Sequence, residues 1–226
     1  MILFVFLIGF TSAAESPIEI TYGSAVKLAT EGSTRNFLRS FDAQWNGRRR
    51  NGNIVTTVSD ETNPEIYWVV GPSATSPSFS GDVVMCGGKI KLVHAVTGKE
   101  LAADLTQRSN LAGMYEVTAV GETGDEFVVE CLSQSGSMWS GSAAKEKWEK
   151  GDKVQLKHVS GGYLRSSPNW VYNQHNCARC PMIGDHEVVV TGPGSSGMSW
   201  IVEGGVVVRN PVPDESDHDI QGKDEL

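Results

Sequence analysis

Four cysteines are the residues with the most distinctive potential chemistry in this sequence. Cys86 and Cys131 stand apart, whereas Cys177 and Cys180 form a Cys-x2-Cys pair. Thiols can form structural disulfides, exchange electrons as a dithiol, or bind zinc. Four cysteines allow three disulfide pairings, and their spacing alone does not choose among the three.

The close pair, Cys177 and Cys180, has three interpretations. It could be a local structural disulfide, a redox-active pair of thiols, or a zinc site completed by His175 and His186. A thioredoxin-like dithiol is expected in a βαβ unit, and the sequence indicates none here. The spacing of the two histidines does not match a recognised zinc finger. We therefore favour the structural disulfide and expect no metal and no cofactor.

Histidines and aromatic residues provide the candidate ligand-binding positions. His94 and His158 each end a short segment in which apolar and polar residues alternate. A lone histidine in that position is usually a packing residue with one hydrogen bond, and a sugar site is the functional alternative. Trp170 and Tyr172 are predicted to lie in an enlarged loop, where aromatic rings could contact a sugar or plug the barrel. The candidate ligand-binding residues are thus His158, Trp170 and Tyr172.

Catalytic motifs are absent from the sequence. It contains no Gly-x-Ser-x-Gly elbow, no phosphate-binding loop and no His-Glu-x-x-His motif. The net charge of −8 argues against a general nucleic-acid binder. Beyond the N-terminus, no apolar stretch reaches the roughly 20 residues that a membrane span needs. We expect a protein that is not an enzyme, binds no nucleic acid and has no membrane span.

A threefold repeat organises the elements that carry these residues. The first element occurs three times at a spacing of 64 residues, in residues 23–28, 87–92 and 151–156. A second element recurs at a spacing of 63 residues around Leu38, Leu101 and Leu164. Two further strand-like runs follow in each unit, separated by turn-forming residues. Outside these runs, only residues 142–150 have helical character.

Three modules of four short strands cannot each bury an apolar face alone, so they should share one core. The sequence therefore predicts an all-β chain, a single β-trefoil whose units span residues 18–75, 82–135 and 148–206. In such a unit the first and fourth strands are antiparallel neighbours. Cys86 precedes the first strand of the second unit and Cys131 follows the fourth, which predicts a disulfide between them.

Both ends of the chain carry targeting signals. Residues 2–10 are apolar and small residues follow, which is typical of a secretory signal peptide spanning residues 1–14. Residues 207–226 form an acidic tail that ends in a retrieval tetrapeptide. Its members are Lys223, Asp224, Glu225 and Leu226. Together the two signals predict a resident of the endoplasmic reticulum lumen, an oxidising compartment in which disulfides persist.

The repeat resembles a known module. Residues 154–166 read VQLKHVSGGYLRS and are similar to the MIR repeat, and residues 91–94 are a shorter match, KLVH. The first unit departs from this pattern because Ala29 and Thr30 replace the usual Leu-His end of the strand. Three such repeats between a signal peptide and this tetrapeptide resemble the stromal cell-derived factor 2 family. The resemblance covers residues 18–208.

The resemblance implies a function in protein folding. Members of this family are non-catalytic components of the lumenal folding machinery, so the implied partners are a J-domain co-chaperone, an Hsp70-type chaperone and unfolded client proteins. MIR modules also occur in mannosyltransferases, which implies the alternative of a lectin-like, glycan-binding module linked to protein O-mannosylation. Periodicity and spacing do not separate these two functions.

Overall fold

The computed structural model describes residues 16–45, 52–132, 145–194 and 198–210. The signal peptide predicted for residues 1–14 and the tetrapeptide predicted at 223–226 lie outside these ranges. The regular elements among the described residues are β-strands and one turn of 3-10 helix at Pro64–Ile66. The strands follow the threefold repeat, four to each unit. They are β1 Ala25–Thr30, β2 Phe37–Ser40, β3 Asn53–Val58, β4 Tyr67–Pro72, β5 Lys89–His94, β6 Glu100–Arg108, β7 Tyr115–Val120, β8 Phe127–Cys131, β9 Lys153–His158, β10 Leu164–Val171, β11 His186–Val190 and β12 Trp200–Val206.

The first and fourth strands of the units form a closed barrel. Within the units β1 pairs with β4, β5 with β8, and β9 with β12. Between the units β4 pairs with β5, β8 with β9, and β12 with β1. All six pairings are antiparallel. Alternate residues of each first strand point into the barrel, as the period-two pattern predicts. These residues are fully buried: Val26, Leu28, Ile90, Leu92, Val154 and Leu156.

The second and third strands form three hairpins that close one end of the barrel. The hairpins are β2–β3, β6–β7 and β10–β11. Their third strands also pair with each other, since β3 contacts β7, β7 contacts β11, and β11 contacts β3. Each hairpin is therefore held by both of the others, and the prediction of an all-β chain with one shared core is confirmed.

The opposite end is closed by a ring of main-chain hydrogen bonds. The N–H of Ile20 donates to Trp148 O at 2.8 Å, Trp148 N–H donates to Val84 O at 2.9 Å, and Val84 N–H donates to Ile20 O at 2.9 Å. Successive members lie 64 residues apart, the spacing of the sequence repeat. The helical character expected for residues 142–150 is wrong for the part described here, because Lys147 and Glu149 form antiparallel bridges with Met85 and Glu19, and no helix is assigned between residues 145 and 150.

Two tryptophans connect the barrel to the hairpins. Trp68 and Trp200 are fully buried near the start of the fourth strands of units one and three. Trp68 Nε1–H donates to Leu38 O at 2.9 Å, and Trp200 Nε1–H donates to Leu164 O at 3.0 Å. A buried N–H group needs a hydrogen-bond acceptor, and in both units the indole N–H finds one in the carbonyl of the second-strand leucine. Within the described ranges, no helix is long and apolar enough to cross a membrane.

Candidate functional site

All four cysteines form disulfides. Cys86 is bonded to Cys131 with a Cα–Cα distance of 5.5 Å, and Cys177 to Cys180 with a Cα–Cα distance of 5.6 Å. The first bond joins the approach to β5 to the end of β8, its antiparallel neighbour. The second closes a short ring inside the enlarged loop of the third unit. In the described parts of the chain, no group of three or more histidine, cysteine or acidic residues could hold a metal ion.

The Cys177–Cys180 ring packs on a small apolar cluster beside the main core. Its buried members are Phe41, Ile54, Tyr172 and Met182, and both cysteines of the ring pack against them. The Cys177 Sγ lies 4.0 Å from the Met182 Sδ. The ring therefore fastens the enlarged loop over its own apolar contacts, which is what a structural disulfide does.

Two of the three candidate ligand-binding residues are buried. Tyr172 is 2% exposed, and its hydroxyl donates to Glu187 Oε1 at 2.9 Å. Its ring also lies 5.7 Å from the ring of Trp45. Trp170 is only half-buried, and the Arg165 guanidinium lies 5.6 Å from its ring centroid. The prediction that Trp170 lies in the enlarged loop is wrong, because β10 extends to Val171, which still pairs with His186 of β11. Trp170 is therefore a strand residue, and Tyr172 directly follows the strand.

Glu187 anchors a neighbouring turn, and sequence reasoning missed this role. Its buried carboxylate accepts the backbone N–H groups of Asn110, Leu111 and Ala112 at 2.7–3.1 Å, in addition to the Tyr172 hydroxyl. A carboxylate is suited to this task because it offers about four acceptor positions. The signal in the sequence is a charged residue next to a run of three valines in β11, on the face opposite the core residues Val188 and Val190. Glu187 thus links unit three to unit two.

A charged cluster also lies between units one and three. Arg39 lies 3.2 Å from a Glu65 oxygen and 3.3 Å from Asp185 Oδ2, which also accepts the Thr56 hydroxyl at 2.7 Å. Burial raises the pKa of Asp185, although Thr56 and Arg39 oppose that effect. Burial likewise lowers the pKa of the adjacent His186. These side chains hold two units together, and the alternating pattern of the strands gave no sign that they would meet.

His94 is fully buried and bonded at both ring nitrogens. Its Nε2 lies 2.9 Å from Glu65 O, and its Nδ1 lies 2.9 Å from Thr97 Oγ1. Because a carbonyl can only accept, the proton is on Nε2 and Nδ1 accepts from Thr97. The ring packs 5.1 Å from the ring of Trp68. Burial lowers the pKa of His94, so the neutral form is favoured.

His158, the third candidate, has a closely similar environment. It is 3% exposed, and its Nδ1 accepts the Ser160 N–H at 3.1 Å, which places the proton on Nε2. That Nε2 lies 3.1 Å from Asp125 Oδ2. Burial alone would raise the pKa of Asp125, but His158 and the N–H of Ala103 together hold it below its ordinary value. The contacts of His158 are at the unit boundary, whereas Trp170 and Tyr172 lie at the far end of β10, so the structure does not bring the three candidates into one site.

Sequence comparison gives the family. No protein-family model matches the chain. A stromal cell-derived factor 2-like protein of Arabidopsis thaliana is 32% identical over 168 residues, which are 70% of this chain and 72% of that protein. The chain belongs to the stromal cell-derived factor 2 family. A human family member, stromal cell-derived factor 2-like protein 1, is 26% identical over 219 residues, covering 96% of this chain and 92% of that protein.

Solved structures agree with the family assignment. The crystal structure of the stromal cell-derived factor 2-like protein from Arabidopsis thaliana superposes with a TM-score of 0.70 at 28% identity, covering 85% of this chain and 98% of that one. An S. cerevisiae protein O-mannosyltransferase complex bound to its sugar donor gives a TM-score of 0.64 at 17% identity, covering 87% of this chain and 27% of that one. The second likeness concerns the fold alone. The names of the family members describe no enzymatic activity.

Proposed function

We propose that this protein is a non-catalytic subunit of a chaperone complex in the lumen of the endoplasmic reticulum. The observation that carries the proposal is membership of the stromal cell-derived factor 2 family over most of the chain. Three of the most conspicuous polar side chains, His94, His158 and Glu187, are engaged in contacts within the fold, so the proposal gives them structural roles. The expected partners are a J-domain co-chaperone, an Hsp70-type chaperone and unfolded clients.

We further infer that the fold is a β-trefoil of three MIR-type repeats. The alternating barrel pairings, the three mutually paired hairpins and the ring at Ile20, Val84 and Trp148 support this inference. The proposed unit boundaries remain 18–75, 82–135 and 148–206. The lumenal location is supported by two disulfides, which persist in an oxidising compartment, and by the signals predicted at both termini.

An exposed aromatic residue offers a contact point for a partner. Phe79 is 83% exposed, although its loop is ordered by a hydrogen bond from its N–H to Asp82 Oδ2 at 2.8 Å. Aromatic side chains are enriched among the residues that dominate binding energy at protein interfaces. We therefore expect Phe79 to contribute to binding of a chaperone partner.

A pull-down from lumenal extract tests the proposed function. The chain without its predicted signal peptide should recover the Hsp70-type and J-domain proteins, equally well with and without added mannose. Phe79→Ser should weaken recovery, whereas Val96→Ser, at a position that is also exposed, is the matched control. Recovery of neither chaperone, under conditions that preserve other lumenal complexes, would contradict the proposal.

A glycan-binding function is the second candidate. It is supported by the likeness of the fold to part of a mannosyltransferase complex and by the half-buried ring of Trp170. An array of mannose-containing glycans would test it. Binding that Trp170→Ala reduces at least tenfold would support the candidate, and uniform absence of binding would remove it.

A further inference from the structure

Three side chains with complementary chemistry meet at the boundary between units one and two. Lys99 Nζ donates a hydrogen bond to Asn53 Oδ1 at 2.5 Å. The same carboxamide donates from its Nδ2 to Asp42 Oδ1 at 3.5 Å. An amine, a carboxamide and a carboxylate are the groups that form an isopeptide bond, in which a lysine nitrogen replaces the nitrogen of a side-chain amide.

The fold positions each of these groups through its main chain. Asn53 is the first residue of β3, and Asp42 lies just after β2, the hairpin partner of β3. Lys99 directly precedes β6, and its carbonyl accepts the His94 N–H at 2.7 Å. Groups held in this way react as if they were very concentrated, with effective molarities that reach roughly 10⁵–10⁸ M when they are well oriented.

The two atoms that would be joined are already close. Since a C=O bond is about 1.23 Å long, the Lys99 Nζ lies within about 3.7 Å of Asn53 Cγ. Reacting atoms in a productive arrangement are roughly 3–3.5 Å apart, so a small movement of the flexible lysine side chain is sufficient.

The three groups differ in burial in a way that suits this reaction. Asn53 is fully buried, Lys99 is half-buried and Asp42 is exposed. Burial of the amide keeps bulk water from its carbonyl carbon, so the lysine amine is the nucleophile within reach. The exposed carboxylate lies on the route by which the displaced nitrogen would leave for the solvent.

We propose that Lys99 and Asn53 form an intramolecular isopeptide bond after the chain has folded, with Asp42 as the proton carrier. The Lys99 ammonium loses a proton, and the Asp42 carboxylate takes one up. The neutral Nζ attacks Asn53 Cγ. The new C–N bond forms, the bond from Cγ to Nδ2 breaks, and Asp42 gives its proton to the departing nitrogen. Nζ loses two protons and the departing nitrogen gains two, so the products are a secondary amide and one ammonium ion.

The bond would connect two units of the fold. It would join β3 of unit one to the turn before β6 of unit two, across 46 positions of the chain. The disulfide between Cys86 and Cys131, in contrast, closes a single unit and can be reduced. The inference does not depend on the proposed function, because the reaction takes place within the folded chain.

Intact-mass spectrometry of the reduced and denatured chain without its predicted signal peptide tests the proposal. During incubation of the folded protein, the mass should fall below that of the sequence by one ammonia molecule. Tandem spectra of a proteolytic digest should contain residues 53 and 99 in one cross-linked peptide. A succinimide at an Asn-Gly pair loses the same mass, so the cross-linked peptide decides the outcome.

Three variants assign the roles of the side chains. Lys99→Arg keeps the positive charge but removes the nucleophile, and it should abolish the cross-link. Asp42→Asn should slow the formation of the cross-link at least about a hundredfold, the lower end of the range for general acid–base catalysis. Lys91→Arg is the matched control and should leave the cross-link intact, because Lys91 donates to the carboxylate of Glu100 and not to an amide.

Circular dichroism establishes that each variant is folded. The proposal is overturned if the folded, unmodified chain yields no cross-linked peptide, or if the cross-link involves another pair of residues. An unchanged rate in Asp42→Asn would overturn the role given to its carboxylate.

Discussion

Cys86 and Cys131 are bonded to each other across the barrel strands β5 and β8, although 45 residues separate them along the chain. Lys89 pairs with Val128 and Ile90 with Phe127, and the same register extended outward brings the two cysteines side by side. The disulfide therefore continues the ladder of the second unit beyond its last paired residues.

Removal of this bond should destabilise the fold without changing it. In the chain-entropy model a loop of this length contributes about 3–4 kcal/mol, a large part of the roughly 5–15 kcal/mol typical of a domain. Cys86→Ser and Cys131→Ser should each lose that amount in denaturant unfolding, while the all-β circular dichroism spectrum is retained. The double variant should lose little more than either single one, because both changes remove the same bond. An additive loss would contradict this account.

Cys177→Ser should cost less, about 2 kcal/mol, because its ring of a few residues restricts the unfolded chain only weakly. The loss should appear mainly as faster amide hydrogen exchange in the enlarged loop. Cys180→Ser is the matched variant. In an insulin-reduction assay both variants and the unmodified chain should give the same background rate, and a rate that depends on these cysteines would indicate a redox function instead.

Glu187→Gln tests the anchored turn. The glutamine amide would keep one acceptor oxygen. Its NH2 group would replace the other oxygen and would face the N–H groups of Leu111 and Ala112, which now donate to Glu187 Oε2. We expect a loss of about 1.5–3 kcal/mol, the range for a hydrogen bond to a charged group. Amide exchange at residues 110–112 should accelerate most. Glu203→Gln is the control, because Glu203 pairs with the exposed Arg35. Equal losses for the two variants would be inconsistent with the anchoring role.

Gly205→Ala should be among the most damaging single-methyl additions. Gly205 has a φ of 140°, and a Cβ built there would lie 2.0 Å from Ala25 O in the neighbouring strand β1. Backbone strain and the forced displacement of β1 together predict a loss of at least ~2 kcal/mol. Gly204→Ala is the control, since its nearest contact is the Lys27 side chain at 3.8 Å. Thermal unfolding of the two variants gives the comparison.

His94 predicts a dependence of stability on pH. Burial lowers its folded-state pKa below the ordinary value of 6.5, so above that value both states are neutral and the residue adds no pH dependence. As the pH falls below about 6.5, the unfolded state takes up a proton that the folded state resists. The free energy of unfolding should therefore fall, by at most about 1.4 kcal/mol per pH unit from this residue.

His94→Gln should reduce that slope, since the glutamine amide can still donate to Glu65 O but does not titrate. His175→Gln, at an exposed position, serves as the control. Denaturant unfolding between about pH 7.5 and 5.5 measures both. His186, whose pKa burial also lowers, acts in the same direction, so some slope should remain in the His94 variant. An unchanged slope in His94→Gln would exclude His94 as a source of acid sensitivity.

The strands were predictable because each unit repeats a local pattern. Leu28, Leu92 and Leu156 occupy the same place in three alternating segments, and their constant spacing identified the barrel strands before any contact was known. The Cys86–Cys131 pairing could be inferred for the same reason, because the order of strands within a unit fixes which ends are neighbours.

The contacts between units were not predictable in that way. Arg39 and Asp185 meet only because β3 pairs with β11, and nothing local to either residue indicates that pairing. Residues 145–150 are lysines and glutamates apart from Trp148, and both residue types favour a helix, but tertiary pairing with the ends of the other units outweighs that weak preference.

The ring formed by Ile20, Val84 and Trp148 has a consequence for biosynthesis. Each member takes its hydrogen-bond acceptor from a different third of the polypeptide, so no third can complete this end by itself. A ribosome adding roughly 5–20 residues per second needs roughly ten seconds to pass from the first member to the last. During that interval the nascent chain exposes apolar strand edges that only later residues can cover. A protein proposed to assist the folding of others therefore depends, while it is being made, on being shielded itself.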